Sequence, residues 1–584
     1  MATNMFDSST INQAATASLF AVSVIAAGLM VYQILRYAQL LWHVRGLPSI
    51  PTLFMGFEPG TRTRLPHIPW VCPVKDYTVY HPWLKYQRVR SDLIALPSLL
   101  SPSSTYITSS PSLHQFMASK PHIFHKPLYM KRYTALDLFG RTVLSTQNGP
   151  EYRRHSSIIK RCLGDRAMED VWDAMRWATE VFVQQDIENE MSEGGVGVAG
   201  DIMEAMNRLT LLVIGRKGFG IDFPWNPVPS GSWDSELPFR DALHLVEKGI
   251  LLEIILPPWL LTLIPSRRVK RYLRARKTFM TYLTRMYEAK NAELTADLGL
   301  DKKNIKDVPP PSDLLGALVH SQLTEEEETR LAGGDRGLAG LKKSEIIGNM
   351  WILIFAGHET TGSALSFTLA YLALYPEWQD KVYEECKEAC GGVTPTYRDM
   401  HKLPLAQAVW QESLRLRDIV STNMKHAVSD VVIPHTTWTP SGEVRQRVHL
   451  VKKGSLIIVD SSAAQLNPFY WGDDALTFNP LRHIHHGRTH SNTTCSSPSQ
   501  GQERAQGPFV AFSLGQRQCI GKRFAETEMT CFVNAICATF RFSPVKAHSE
   551  ETWDEMHWRL VESATEQITY QPGKFSLRFE RRQR

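Results

Sequence analysis

Of the eight cysteines in the chain, Cys519 has the most constrained local setting. It lies in FSLGQRQCIG, from Phe512 to Gly521, with Arg517 two residues before it and Phe512 seven before. Gly515 permits a backbone turn closed to other residues, and Gly521 lets the chain approach something bulky. Arg517 offers a fork of donors to a carboxylate. The run after it, IGKRFAETEMTCFVNAICATF, has helical periodicity, which places the sulfur at a helix N-terminus where the dipole and free N–H groups stabilise a thiolate. A thiolate held this way suits an axial haem-iron ligand, with Arg517 facing a propionate.

A second constellation lies upstream. EIIGNMWILIFAGHETTGSALSFTLAYLALYP, Glu345 to Pro376, reads as one long helix with an N-cap at Ser344 and a stop at Pro376. In its middle AGHETT is oddly polar. Thr360 and Thr361 can bond back to carbonyls four residues earlier and loosen the helix. Gly357 removes a side chain where a flat cofactor and dioxygen need room. In QESLRLR, Glu412 and Arg415 are three apart and share a helix face.

Together these segments resemble the cytochrome P-450 family. Phe512, Gly515, Arg517, Cys519 and Gly521 fill every fixed position of its F-x-x-G-x-R-x-C-x-G haem signature, and AGHETT looks like its A/G-G-x-D/E-T-T/S motif. The resemblance implies haem b with Cys519 as proximal iron ligand, Phe512 packed beside it tuning its potential, and Glu359 and Thr360 helping to deliver protons to the oxygen being activated. It also implies that Glu412 and Arg415 form a buried network with Arg482 of NPLRHI, serving assembly rather than chemistry.

The chain departs from the family pattern at several points. Where members carry W-x-x-x-R, the segment GPEYRRHSSIIKR offers Tyr152 and Ser156. Propionate binding is therefore expected to lean on Arg517, on His155, or on Lys425 and His426 of NMKHAVSD, with Tyr152 still able to donate. The prolines usual after E-x-x-R are replaced by RDIVST, and His483 stands where the P-x-R segment usually has phenylalanine.

The elements that position these residues read as mainly α with small β-sheets: one large domain behind an N-terminal transmembrane helix. Helical spacing marks Glu169 to Glu190, Asp201 to Gly215 and Val269 to Leu298. Val448 to Val451 and Ser455 to Val459, across Lys452-Lys453-Gly454, read as a hairpin. Ala14 to Leu35 is uncharged and long enough to cross a bilayer. Arg36, His43 and Arg45 follow it, so the positive-inside rule places the body in the cytosol, and Pro48 and Pro51 form a stiff hinge. The expected boundaries are 1–45 for the anchor and 46–584 for the catalytic body, in the endoplasmic reticulum membrane.

Two stretches, 324–343 and 483–507, read as loop insertions. The second holds His483, His485, His486, His490 and Cys495 without zinc-ligand spacing, so a solvated loop is favoured over a metal site. Its Asn492 sequon would not meet the transferase in a cytosolic body. EKGILLEIILPPWLLTLIP, interrupted by Glu253 and two prolines, is either a core helix with a turn or an apolar lip dipping into the membrane.

Composition agrees with a folded body: 43% hydrophobic and 10% aromatic residues exclude whole-chain disorder. A net charge of +6 over 584 residues gives no sign of nucleic-acid binding. Cys72, Cys162, Cys386, Cys390, Cys495, Cys531 and Cys537 form no C-x-x-C pair, which points to small buried hydrophobes in a reducing compartment.

Arg153, Arg154, Lys160 and Arg161, with Lys522 and Arg523, form a basic face suited to an acidic reductase. The resemblance implies NADPH electrons arriving through a separate NADPH-cytochrome P-450 reductase, dioxygen as co-substrate, and oxygen insertion into a C–H or double bond of an apolar small molecule. Fungal microsomal members, which this chain resembles, often tailor secondary metabolites such as terpenoids. Rival readings are a haem-thiolate isomerase or dehydratase, which commonly lacks the Glu359–Thr360 pair, and a non-catalytic membrane haem-binding protein.

Overall fold

The computed structural model describes residues 8–53, 81–99, 103–189, 191, 195–226, 237–301, 311–332, 340–391, 393–484, 509–566 and 568–583. The first helix, α1 (Ser8–His43), is longer than the apolar run that predicted it. Among the described residues it is the one helix long and apolar enough to cross a membrane. The segment expected to be a stiff hinge after it docks on the body: Ile50 N donates to Ala95 O at 2.9 Å, Ala95 N to Pro48 O at 2.9 Å, and Thr52 N to Pro97 O at 2.9 Å. α1 ends at His43, ahead of both prolines, and the backbone groups beyond the turn find partners along strand β1 (Leu93–Ala95).

The body is mainly helical. α2 (Pro111–Ser119), α3 (Pro150–Arg161), α4 (Asp165–Phe182) and α5 (Ile202–Phe219) are followed by α6 (Phe239–Ile255), α7 (Pro258–Leu263) and α8 (Arg267–Asp301). Then come α9 (Leu314–Ala332), the long α10 (Lys343–Leu374), α11 (Pro376–Cys390), α12 (Pro404–Leu416) and α13 (Lys522–Thr539). α9 runs through the first part of the stretch read as a loop at 324–343. Its Glu-rich run supplies good helix formers, a signal that the charge and glycine content masked. Residues 333–339, and 485–507 of the second stretch, lie outside the described residues.

α10 is buried almost throughout and crosses α5 closely. A Cβ at Gly362 would stand 2.3 Å from Asn207 Oδ1, and one at Gly357 would stand 3.1 Å from Ile214 Cγ1. Gly357 therefore makes room for the Ile214 side chain of α5, a neighbour that the sequence did not indicate. α10 begins one residue before the expected cap: Lys342 precedes its first turn, and the Glu345 carboxylate accepts from the Lys342 amide at 2.9 Å.

The sheets are small. In the largest, β1, β2 (Thr105–Thr108), β8 (Leu456–Asp460), β5 (Thr422–Ala427) and β3 (Phe124–His125) lie side by side in that order. β7 (Val444–Val451) pairs with β6 (Val431–Trp438), not with β8, so the expected hairpin across Lys452-Lys453-Gly454 is wrong. The turn forms, with Gly454 at φ +83°. Beyond it LIIVD is buried at every position, as a strand covered on both faces of its sheet is. The remaining sheets are β4 (Val196–Ala199), β12 (Leu577–Arg581) and β9 (Phe540–Pro544), and the pair β10 (Thr565–Glu566) with β11 (Tyr570–Gln571).

Glu253, predicted to interrupt an apolar run, is buried and satisfied. It accepts from Tyr272 Oη and Arg276 Nη1, both at 2.8 Å. The helix and turn expected there exist as α6 and α7, and Ile255, Trp259 and Leu263 project from them, more than half exposed.

Candidate active site

The Cys519 loop is held by its own backbone. Cys519 N donates to Phe512 O at 2.9 Å and Gln518 N to Gly515 O at 3.0 Å. Gly515 has φ +74°, and a Cβ there would meet Ala118 Cβ at 2.7 Å, so two independent constraints demand glycine. A Cβ at Gly521 would meet no protein atom within 4 Å, so the protein's own packing does not explain that glycine. Phe512 packs edge-on against Trp410, ring centroids 6.3 Å apart.

Cys519 is enclosed by protein, yet its surface is accessible. Burial pushes its thiol up, and the Gly521 amide and Lys522 only partly oppose this. α13 begins at Lys522, three residues beyond the sulfur, so the expected stabilisation of a thiolate by the helix end is too weak by itself. Metal coordination deprotonates a thiol outright and supplies what the helix does not.

In α10, Ala356 and Thr360 lie one turn apart on an accessible strip of an otherwise buried helix. Thr360 Oγ1 donates to Ala356 O at 2.7 Å, the back-bond expected from the sequence, and the helix continues unbroken. Glu359 points elsewhere. Its Oε1 accepts from Thr569 Oγ1 and Gln571 Nε2, both at 2.7 Å, while its buried Oε2 has no hydrogen-bond partner. Burial, then the nearby Glu247 carboxylate, pushes Glu359 up to about 7.

The expected propionate contacts separate into two groups. Arg517 and Lys425 come together: burial lowers both, and the Arg517 charge adds to the burial that takes Lys425 to about 8. Lys126 joins them, held well below the lysine range by burial and by the charges of Arg517, Lys425 and Arg132. Lys126 and Arg132 were not singled out in the sequence. The cation-rich run HKPLYMKR was the available signal, but its convergence on Arg517 depends on tertiary folding. Arg517 Nη2 donates to Thr146 O at 2.8 Å, leaving Nη1 buried without a partner.

Tyr152 and His155 behave differently from the expectation. Tyr152 Oη donates to Gln516 O at 3.0 Å, and its ring lies 3.8 Å from the Arg517 guanidinium, so it positions Arg517. His155 is fully buried against the first turn of α10, with Nδ1 accepting from Asn349 Nδ2 at 2.9 Å. Although three residues along α3 keep the two on neighbouring positions, His155 is engaged by α10 while Tyr152 reaches Gln516 and Arg517. The His426 ring stands 5.9 Å from the rings of both Tyr129 and His125, and its Nδ1 has no partner.

Behind the loop, Glu412 gathers the expected network. Arg415 Nε donates to Glu412 Oε2 at 2.7 Å, Arg415 Nη2 to Oε1 at 2.9 Å, and Arg482 Nε to Oε1 at 2.9 Å. His483 Nε2, 2.9 Å from Glu412 Oε2, completes it, so this histidine belongs to the network and not to a solvated insertion. Despite burial, Arg415 and His483 hold Glu412 at about 2.

The basic face is smaller than the sequence suggested. Arg154 turns inward to Glu345, 2.5 Å away, and Arg523 pairs with Asp165. Arg153, Lys160 and Arg161 remain exposed.

An enclosed but accessible cysteine, a glycine facing space free of protein atoms and a cluster of mutually repelling cations fit a haem held by its iron and its two carboxylates. The family model described as Cytochrome P450 matches residues 91–570. The chain belongs to this family. Like other cytochromes P450 it is an oxidoreductase of the monooxygenase type, which uses haem b and draws on NADPH through a reductase. It is 29% identical to cytochrome P450 monooxygenase 124 of Postia placenta, over 84% of this chain and 86% of that one. Over 71% of this chain and 76% of the relative, it is 26% identical to the ganoderic acid synthetase CYP5150L8 of Ganoderma lucidum.

Proposed function

We propose that this cytochrome P450 inserts one atom of dioxygen into a C–H or double bond of an apolar small molecule in a fungal biosynthetic pathway for secondary metabolites, such as terpenoids. Bound through the Cys519 thiolate, haem b would supply the electron-rich iron at which dioxygen is reduced and its O–O bond cleaved. Arg517, Lys425 and Lys126 hold the propionates, and Arg132 adds charge to that cluster. Thr360 holds a hydroxyl on the accessible strip of α10, and Glu359, the preceding residue, stores a proton on a carboxyl held by Thr569 and Gln571. The fungal monooxygenases among the relatives, one a ganoderic acid synthetase, support the biosynthetic reading.

The body stands on the cytosolic side of the endoplasmic reticulum membrane, anchored by α1. The exposed Trp259 and Leu263 reach the same bilayer, and Arg153, Lys160 and Arg161 receive an acidic reductase.

The single observation that carries this reading is Cys519, enclosed yet accessible, in a loop that tolerates only glycine at 515. The test is the carbon monoxide difference spectrum of the reduced, membrane-bound protein. The thiolate-type red-shifted Soret band is expected from the wild type and should be lost in Cys519→Ser. Its absence from folded, haem-loaded wild type would refute the monooxygenase reading.

A further inference from the structure

Glu247 projects from α6 toward α10, where its Oε1 lies 3.2 Å from His358 Nε2. His358 is buried, and its Nδ1 lies 2.8 Å from Ile354 O. A carbonyl oxygen only accepts, so Nδ1 carries a proton. At Nε2 the Glu247 carboxylate stands in ion-pair contact without a hydrogen bond, a placement that favours a second proton on the ring. Glu247 thus favours the imidazolium: burial opposes the charge, but the carboxylate 3.2 Å away raises the ring above the ordinary histidine value. Thr210 of α5 donates to the His358 carbonyl at 2.9 Å and fixes this turn of α10.

The next residue is Glu359. Both neighbouring donors, Thr569 and Gln571, are spent on Oε1. Oε2 is buried with no partner, a costly place for negative charge and the oxygen free to carry a proton. The positive group on α10 that acts on Glu359 is His358, and that group is engaged by Glu247.

We propose that Glu247 is a positioning residue: by engaging His358 from α6, it keeps Glu359 protonated on Oε2, so that the proton is in place for the reaction. This rests on the proton-delivery reading of Glu359 given above. The groups facing the unit are His244, Lys248 and Arg240 on α6, His358 on α10, and Thr569 and Gln571 at the β10–β11 hairpin. Glu247 is partly accessible and His244, nearly one turn earlier, is exposed, which gives the unit contact with water.

The test uses the full-length, haem-loaded protein in detergent and reads the infrared C=O stretch of a protonated carboxyl as pH is varied. The Glu359 band is assigned by its loss in Glu359→Gln. In wild type it should titrate near neutral pH. Glu247→Gln removes a like charge and should lower the midpoint by about one pH unit, while Glu247→Asp should restore it. His358→Gln removes an opposite charge and should raise the midpoint. Opposite shifts cannot come from general loosening of the fold. An unmoved midpoint in Glu247→Gln, shifts of the same sign in both variants, or no Glu359 band in wild type would each overturn the proposal. Unchanged coupling of NADPH use to product in Glu359→Gln would refute the delivery reading instead, and would leave the titration shifts standing.

Discussion

Arg415 Nε donates to Glu412 Oε2 at 2.7 Å, with both side chains wholly withdrawn from water. Removing Arg415 takes two charged donor contacts from a buried carboxylate and leaves it only Arg482 and His483, at a cost of up to about 3–5 kcal/mol. Arg415→Ala should therefore lower the urea midpoint sharply and impair haem incorporation, read by unfolding curves and by haem content. The network also gives an acid limit. Glu412 is held at about 2 against an ordinary 4.5, so its contribution is full above about 4.5 and is lost as pH falls toward 2. Glu412→Gln should flatten that part of the stability profile.

Gly515→Ala combines a left-handed backbone with a methyl 2.7 Å from Ala118 Cβ. Strain of about 1–3 kcal/mol is expected. It should appear as weakened haem retention on dilution, whereas a Gly521→Ala change meets no protein atom and should leave the haem-free fold unaffected.

Lys425 is lowered to about 8 by burial and then by Arg517. The unfolded chain binds a proton there up to the ordinary lysine range, so the haem-free fold should gain stability as pH rises from about 8 to 10. Haem carboxylates would offset the Arg517 repulsion and shrink that gain. Comparing unfolding of haem-free and loaded protein across this window checks it, and Lys425→Met should abolish this residue's part.

Thr360→Ala removes the one hydroxyl on the accessible strip and should divert reducing equivalents into peroxide, leaving the carbon monoxide spectrum intact. Simultaneous measurement of NADPH consumption and peroxide release decides it. No change in their ratio would count against the role given to Thr360.

Trp259→Ser with Leu263→Ser should weaken binding of the α1-deleted body to vesicles while leaving its carbon monoxide spectrum unchanged. Undiminished binding would remove the second membrane contact.

Much of the site was legible because its signals are local. The spacing around Cys519 and the three-residue step from Glu412 to Arg415 are fixed along the chain, and helix periodicity turns that step into contact. Convergence was not legible. Lys126 meets Arg517 across 391 positions only after folding, and Gly357 is explained by Ile214, which no local pattern reveals. The mispaired strands fail for the same reason: the turn at Gly454 is local, but the partners of LIIVD are β2 and β5. His483 looked like part of a polar tract until Glu412 was seen beside it.

The backbone bonds from Pro48, Ile50 and Thr52 to the β1 region make the exit from α1 a mast rather than a tether. With α1 in a bilayer, the body would meet its redox partner in a fixed pose by sliding in two dimensions, without tumbling at the end of a leash. Truncations that begin before Pro48 would keep the sheet edge covered. Those that begin after Thr52 would bare it, inviting chains to associate through that edge.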